Sequence, residues 1–64
     1  MYEANNGGFK YTIQRLCFGG GNAVWHWIVR DRSEAETATG VSTRSHTDAE
    51  TQVLESIDKQ RELA

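Results

Sequence analysis

The sequence predicts an α+β domain in which a three-stranded antiparallel sheet packs on one C-terminal helix. Two observations predict the sheet: apolar and polar residues alternate with the two-residue period of a strand from Phe9 onward, and residues 24–31 are rich in β-branched and aromatic side chains. One observation predicts the helix, since apolar residues recur at helical spacing near the end of the chain. The element order is therefore β-β-β-α, with one face of the sheet left for the helix to cover.

The chain is short enough for one domain only. Its 64 residues are 38% hydrophobic and 25% charged, which is typical of a small folded domain rather than a disordered segment. Residues 1–8 show no periodicity and end in two glycines, so we predict a flexible leader there. Residues 9–64 are then a single α+β domain.

The first predicted strand places Phe9, Tyr11, Ile13 and Cys17 on one apolar face. This position predicts that Cys17 is a small core residue. The break in alternation at residues 16–18 predicts either a bulge or the end of the strand. A glycine-rich hairpin loop follows at residues 19–22 and leads into the central strand at residues 24–31.

The third predicted strand spans residues 37–43. Threonines and Val41 alternate there with Ala38, Gly40 and Ser42, so one face is small enough for a helix to lie close against it. The threonine-rich face suits solvent or a partner.

The final helix is predicted from about Asp48 to Glu62. Thr47 and Glu50 have the spacing of a capping box, in which each side chain satisfies a backbone N–H of the first turn. The apolar stripe that would face the sheet consists of Ala49, Val53, Leu54 and Ile57.

Composition excludes several function classes. No run of eighteen apolar residues and no signal-peptide pattern occurs, so we expect a cytoplasmic protein without membrane contact. Cys17 is the only cysteine, and neither His26 nor His46 has the spacing of a metal ligand. Cys17 and His26 could meet across a hairpin, but so short a chain has no second layer to enclose a substrate cleft. We therefore expect no enzyme activity, no metal and no cofactor.

Charge is distributed unevenly along the chain. Residues 1–33 contain four Lys and Arg residues against two Asp and Glu residues, whereas residues 34–64 contain three against seven. The acidic second half could occupy a basic groove that otherwise binds nucleic acid.

Both faces of the central strand carry bulky groups, because Trp25, Trp27 and Val29 alternate with Val24, His26 and Ile28. One helix can cover only one of these faces. Two interpretations remain open: the tryptophans are exposed and bind a partner, or they form the core and His26 points outward. A homodimer would also hide the uncovered face.

The segment Trp-His-Trp-Ile-Val-Arg-Asp at residues 25–31 resembles a strand of the AP2 DNA-binding domain. The order of three strands and a helix is similar to that family and to the arm-binding domains of integrases. The resemblance implies a sheet that lies in the DNA major groove. The contacts that it implies are Arg15, Trp25, Trp27 and Arg30.

The overall profile of a small acidic chain without a catalytic set is similar to that of small phage inhibitors, including anti-CRISPR proteins. We therefore predict a non-enzymatic interaction protein that occludes a nucleic-acid-binding or protein-binding surface on a larger host protein or nucleoprotein complex. The alternatives are an AP2-like DNA-binding module and an accessory subunit. The predicted partner-binding residues are Trp25, Trp27, Arg30, Glu34, Glu36, Glu55, Asp58 and Glu62.

Overall fold

A computed structural model describes residues 1–63 as an antiparallel sheet packed against one C-terminal helix. The sheet is a meander with the strand order β1-β2-β3-β4, and a short 3₁₀ turn at Gly19–Gly21 connects β2 to β3. The elements are β1 (Tyr2–Asn6), β2 (Phe9–Cys17), β3 (Ala23–Arg30), β4 (Glu36–Ser42) and α1 (His46–Leu63). The predicted α+β class is confirmed, but the sheet has four strands and the prediction of three is wrong.

The additional strand, β1, lies in the segment that the sequence predicts to be a leader. It pairs with β2 from Tyr2 opposite Ile13 to Asn6 opposite Phe9. Gly7 and Gly8 form the turn between them with φ values of 56° and 91°. A two-residue hairpin turn of type I′ requires positive φ at both positions, and glycine adopts it without a Cβ penalty. The glycine pair is therefore a hairpin turn.

The helix covers the tryptophan face of the sheet. Trp27 and Val29 of β3 are buried beneath Val53 and Ile57 of α1, and Val29 and Val53 are completely inaccessible to solvent. Full burial of an aliphatic or aromatic side chain stabilises a fold by about 1.5–3 kcal/mol. His26, on the alternate side of β3, therefore faces away from α1, and the second of the two interpretations describes the molecule.

The small face of β4 makes room for the Trp27 ring. Gly40 lies opposite Trp27 in the sheet, and a Cβ on Gly40 would come within 2.7 Å of Trp27 Cε2. The strand shifts register between Val29 and Arg30, so Thr37 is the extra residue of a bulge. The bulge therefore lies in the β3–β4 pair. Of the two possibilities predicted near residues 16–18, the end of the strand is the one found, because Leu16 and Cys17 pair regularly with β3 and β2 ends at Cys17.

Cys17 is exposed, and its predicted core position is wrong. It lies on the helix side of β2, but α1 begins at the level of Ile13, where His46 packs edge-on against Tyr2 with ring centroids 4.9 Å apart. The last residues of β2 extend beyond the start of the helix, so strand alternation alone does not bury Cys17.

The helix begins two residues earlier than the sequence predicts, with Ser45 as its cap. The Asp48 backbone N–H donates to Ser45 Oγ at 3.0 Å, and the Ser42 hydroxyl donates to the Asp48 carboxylate at 2.7 Å. Asp48 also adds a negative charge in the first turn, where the helix dipole favours it. The predicted capping box is wrong because Thr47 is already helical and Glu50 accepts a hydrogen bond from the Tyr11 hydroxyl at 3.2 Å.

Within residues 1–63, no helix combines the length and apolar character that a membrane crossing requires.

The buried phenol of Tyr11 gives a pH-dependent prediction. Burial, together with the nearby Glu50 carboxylate, raises the pKa of Tyr11 from its ordinary value of 10 to about 12. Because the pKa is higher in the folded state than in the unfolded state, the neutral Tyr11 phenol contributes to stability. This contribution is complete below pH 10 and is lost as the pH rises from about 10 to about 12. We expect Tyr11→Phe to cost about 1 kcal/mol at neutral pH through the lost hydrogen bond. It should also flatten the decline in urea midpoint across that alkaline window, and parallel declines in the two proteins would contradict this role.

Candidate interaction surfaces

Three exposed carboxylates form a row along the outer side of α1. Glu55, Asp58 and Glu62 are spaced three and four residues apart, which places them on the side of the helix opposite the buried Val53 and Ile57. We call these three residues the acidic row. The helix carries five carboxylates against Lys59 and Arg61. The acidic row is therefore a negatively charged surface that packing of the domain does not use.

Arg61 forms a long ion pair with one member of the acidic row. Arg61 Nη1 lies 3.8 Å from Asp58 Oδ1, and the Asp58 side chain is 76% exposed. The other terminal nitrogen of Arg61 donates to Asn6 Oδ1 at 2.7 Å, which ties the end of α1 to β1. A long ion pair between exposed side chains is worth less than about 1 kcal/mol, so Arg61 leaves the charge of Asp58 largely available.

The β3–β4 loop positions two further carboxylates, Glu34 and Glu36. The Asp31 carboxylate organises this loop by accepting hydrogen bonds from the Ser33 hydroxyl at 2.6 Å and from the backbone N–H groups of Ser33 and Ala35 at 2.9 and 3.1 Å. The Ser33 hydroxyl and then the Ala35 N–H lower the pKa of Asp31, because both hydrogen bonds favour its charged form. Glu34 has a φ of 65°, which is uncommon for a residue with a Cβ. Both Glu34 and Glu36 are exposed.

Three segments lie together at one end of the molecule: the β1–β2 turn, the β3–β4 loop and the C-terminal end of α1. A side chain on Gly7 would collide with the Arg61 guanidinium, and a Cβ on Gly8 would lie 2.7 Å from Arg32 Nε. The two guanidinium groups therefore cover consecutive residues of the turn. A shallow depression of about 350 Å³ lies beside them, lined by residues 7–9 and 31–33.

The sheet face away from α1, which we call the open face, carries Val24, His26 and Ile28 of β3. His26 Nε2 lies 3.2 Å from Thr39 Oγ1 on β4, and Val41 beside it is 49% exposed. A depression of about 180 Å³ on this face is lined by Met1, Glu3, Thr12, Gln14, His26, Ile28 and Arg30. The open face thus has apolar and polar side chains without a covering layer in residues 1–63.

The open face also carries two cations next to each other. Lys10 of β2 lies opposite Arg30 of β3, and Lys10 Nζ is 3.4 Å from Glu3 Oε1. Each cation has a carboxylate as its neighbour, because Glu36 of β4 lies opposite Arg30.

The predicted partner-binding residues do not form one surface. Trp27 is 7% exposed and its indole N–H donates to Gln52 Oε1 at 2.9 Å, so it belongs to the core, and Trp25 is half-buried against the same cluster. Arg30 lies on the open face. The five carboxylates lie on α1, in the β3–β4 loop and at the start of β4.

The contacts implied by the AP2 resemblance also lie on two different sides of the sheet. Arg15 shares the α1 side of the sheet with the tryptophans, whereas Arg30 is on the opposite side. Sequence reasoning missed Lys10 as the neighbour of Arg30, although strand alternation predicts that it points away from Tyr11. The threonine-rich strand lies at the edge of the sheet, which agrees with the prediction of residues 24–31 as a central strand.

No group of three or more His, Cys, Asp or Glu side chains within residues 1–63 is arranged to hold a metal ion. Comparisons of the chain with protein-family models, with curated proteins and with solved structures find no match. The surfaces described above are therefore what a functional proposal has to use.

Proposed function

We propose that this protein is a small non-enzymatic interaction protein that uses the acidic row of α1 to cover a basic surface on a larger protein or nucleoprotein complex. The observation that supports the proposal is the position of Glu55, Asp58 and Glu62 on the side of the helix that packing leaves free. Folding does not need these charges, because the core of the domain lies on the opposite side of α1.

A row of carboxylates on a rigid helix suits a basic groove that normally binds nucleic acid. Complementary charge accelerates association and excludes competing anions, and a rigid helix fixes the spacing of the charges. Glu34 and Glu36 extend the negative charge of the chain to the β3–β4 loop. Occlusion of this kind, acting in the cytoplasm, is how we propose that a phage inhibitor similar to anti-CRISPR proteins would block its target.

A second candidate function is DNA binding through the sheet, and the adjacent Lys10 and Arg30 favour it. In this case the open face approaches the phosphates, while Trp25, Trp27 and Arg15 take no part because they lie on the α1 side. Each phosphate contact contributes a salt-dependent term to the affinity.

The two functions respond differently to charge reversal on the helix. For the occluding function, we expect the triple variant Glu55→Lys, Asp58→Lys and Glu62→Lys to slow association with the captured partner, because steering becomes repulsion. The loss should shrink as salt screens the charges. The isosteric variant Glu55→Gln, Asp58→Asn and Glu62→Gln should give a smaller loss of the same kind. Affinity capture with the tagged protein identifies the partner, and association rates at two salt concentrations provide the measurement.

The matched controls lie on the other side of the sheet. Lys10→Ala and Arg30→Ala should leave the partner complex unchanged if the acidic row makes the contact. Partner affinity that survives the triple reversal would exclude the occluding function. A gel shift with duplex DNA that weakens in Lys10→Ala and Arg30→Ala would instead support the second candidate.

A further inference from the structure

The β1–β2 turn contains an asparagine followed directly by glycine, at Asn6 and Gly7. In such a pair the backbone nitrogen of the second residue can attack the side-chain amide carbon of the asparagine, because glycine has no side chain to hinder the approach. The product is a cyclic succinimide, which water opens to aspartate or isoaspartate. Whether the folded chain permits this step depends on what surrounds the two residues.

The attacking atom, the backbone nitrogen of Gly7, lies outside the strand ladder. Pairing of β1 with β2 ends where Asn6 lies opposite Phe9, and the Gly7 N–H has no hydrogen-bond acceptor within residues 1–63. Gly7 has a φ of 56° and belongs to the turn rather than to either strand. Loss of its amide proton therefore breaks no hydrogen bond of the sheet.

The amide group under attack is held by Arg61. Arg61 Nη2 donates to Asn6 Oδ1 at 2.7 Å, and the same nitrogen would overlap a Cβ placed on Gly7. One guanidinium group therefore touches both reacting residues. When the Gly7 nitrogen bonds to Asn6 Cγ, negative charge develops on Oδ1, and a cation that already donates to this oxygen stabilises it. The hydrogen bond is exposed, so this stabilisation is smaller than in an enclosed active site.

We propose that Asn6 is a site of spontaneous deamidation that Arg61 assists. Hydroxide removes the Gly7 amide proton, the bond between the Gly7 nitrogen and Asn6 Cγ forms, and the Asn6 Cγ–Nδ2 bond breaks. The leaving nitrogen takes a proton from water, which releases ammonia and regenerates hydroxide. Water then opens the ring at either carbonyl and leaves aspartate or isoaspartate at position 6. The proposal is independent of the function assigned to the acidic row.

The two products differ in their effect on β1. Aspartate at position 6 keeps the backbone of the hairpin and turns the hydrogen bond with Arg61 into an ion pair. Isoaspartate adds a methylene group to the main chain at the residue that closes the β1–β2 pairing, opposite Phe9. β1 also carries Tyr2, whose ring packs against Tyr11 and His46. We therefore expect the isoaspartate form to loosen β1 from the sheet and the aspartate form to keep it in place.

The other two asparagines of the chain are internal controls. Asn5 precedes Asn6, which has a side chain, and it lies within β1 opposite Lys10. Asn22 is exposed but precedes Ala23, the first residue of β3. In both cases the next residue has a Cβ that hinders attack by its nitrogen. Both are expected to convert more slowly than Asn6.

Mass spectrometry of tryptic peptides tests the site after incubation of the full chain at neutral pH and physiological temperature. Peptides 1–10 and 16–30 contain the three asparagines, and deamidation raises the peptide mass because oxygen replaces NH. We expect conversion of Asn6 first, to a mixture of aspartate and isoaspartate that takes up oxygen from isotope-labelled water. Conversion of Asn22 or Asn5 at an equal or higher rate would overturn the proposal.

Arg61→Met tests the role of the guanidinium group. We expect it to slow conversion of Asn6 by about tenfold, which is less than the roughly hundredfold loss on removing a donor from an enclosed oxyanion hole. Arg32→Met is the matched control, since Arg32 covers Gly8 of the same turn, and it should leave the rate unchanged. An Arg61→Met protein that has a native circular dichroism spectrum and converts Asn6 as fast as the wild type, or faster, would overturn the assistance by Arg61.

Discussion

Replacing Ile57 with aspartate is expected to unfold the domain. Ile57 is 1% exposed and packs with Val53 and Val29 between α1 and the sheet. An ionised carboxylate there would have no partner, and burial of an unpaired charge costs several kcal/mol or forces the helix off the sheet. A domain of this size has a stability of only about 3–10 kcal/mol, so the penalty approaches the whole of it. Val53→Asp should behave in the same way.

Thr51→Asp is the matched control for this change. It introduces the same side chain in the same helix, at an exposed position away from the core. Its melting temperature should stay close to that of the wild type, whereas Ile57→Asp should show no cooperative transition by circular dichroism. A cooperative transition near the wild-type temperature in Ile57→Asp would mean that this stripe does not face the sheet.

Gly40→Ala has the second-largest expected effect. The new Cβ would lie 2.7 Å from Trp27 Cε2, so the indole ring has to move, and its 2.9 Å hydrogen bond to Gln52 would be strained. Overpacking of this kind costs about 1–3 kcal/mol, and each kcal/mol lowers the melting temperature of a domain this small by about 4–8 °C. A loss of stability is informative here, because replacing glycine with alanine within a strand is otherwise stabilising.

Gly19→Ala provides the comparison for Gly40→Ala. No atom lies within 4 Å of a Cβ built on Gly19, so the same substitution should be neutral or slightly stabilising. Thermal melts of both variants, followed by tryptophan fluorescence, test the pair. Equal stability of Gly40→Ala and Gly19→Ala would mean that β4 does not cradle the Trp27 ring.

Strong local patterns predicted most of the fold. β3 and α1 were predictable because β-branched and aromatic residues fill the first, and an apolar stripe runs along the second. β1 was not, since its five residues, Tyr-Glu-Ala-Asn-Asn, carry little apolar alternation and gain their order by pairing with β2. The Gly7–Gly8 pair is the available signal of a hairpin, but without periodicity before it the same pair also fits the end of a flexible leader.

Local sequence patterns do not predict which face of the sheet α1 covers, because this depends on contacts between residues distant in the chain. Alternation separates Trp27 from His26, but it does not say which side the helix takes. The register of β3 with β4 supplies the answer, because Gly40 lies opposite Trp27 and gives the ring its space. Cys17 was misplaced for a related reason: strand period says nothing about where a helix starts along the sheet. The acidic row, in contrast, follows directly from helical spacing.

The assignment of surfaces depends on α1 covering Trp27 and leaving His26 and Ile28 open, and nuclear Overhauser effects measure this most directly. The indole N–H of Trp27 should show cross-peaks to the Gln52 side chain, consistent with the 2.9 Å hydrogen bond, and should exchange slowly with solvent. Methyl groups of Ile28 should show none to Val53. Cross-peaks between Ile28 and Val53, with a rapidly exchanging Trp27 indole, would contradict the arrangement and expose the tryptophan face instead.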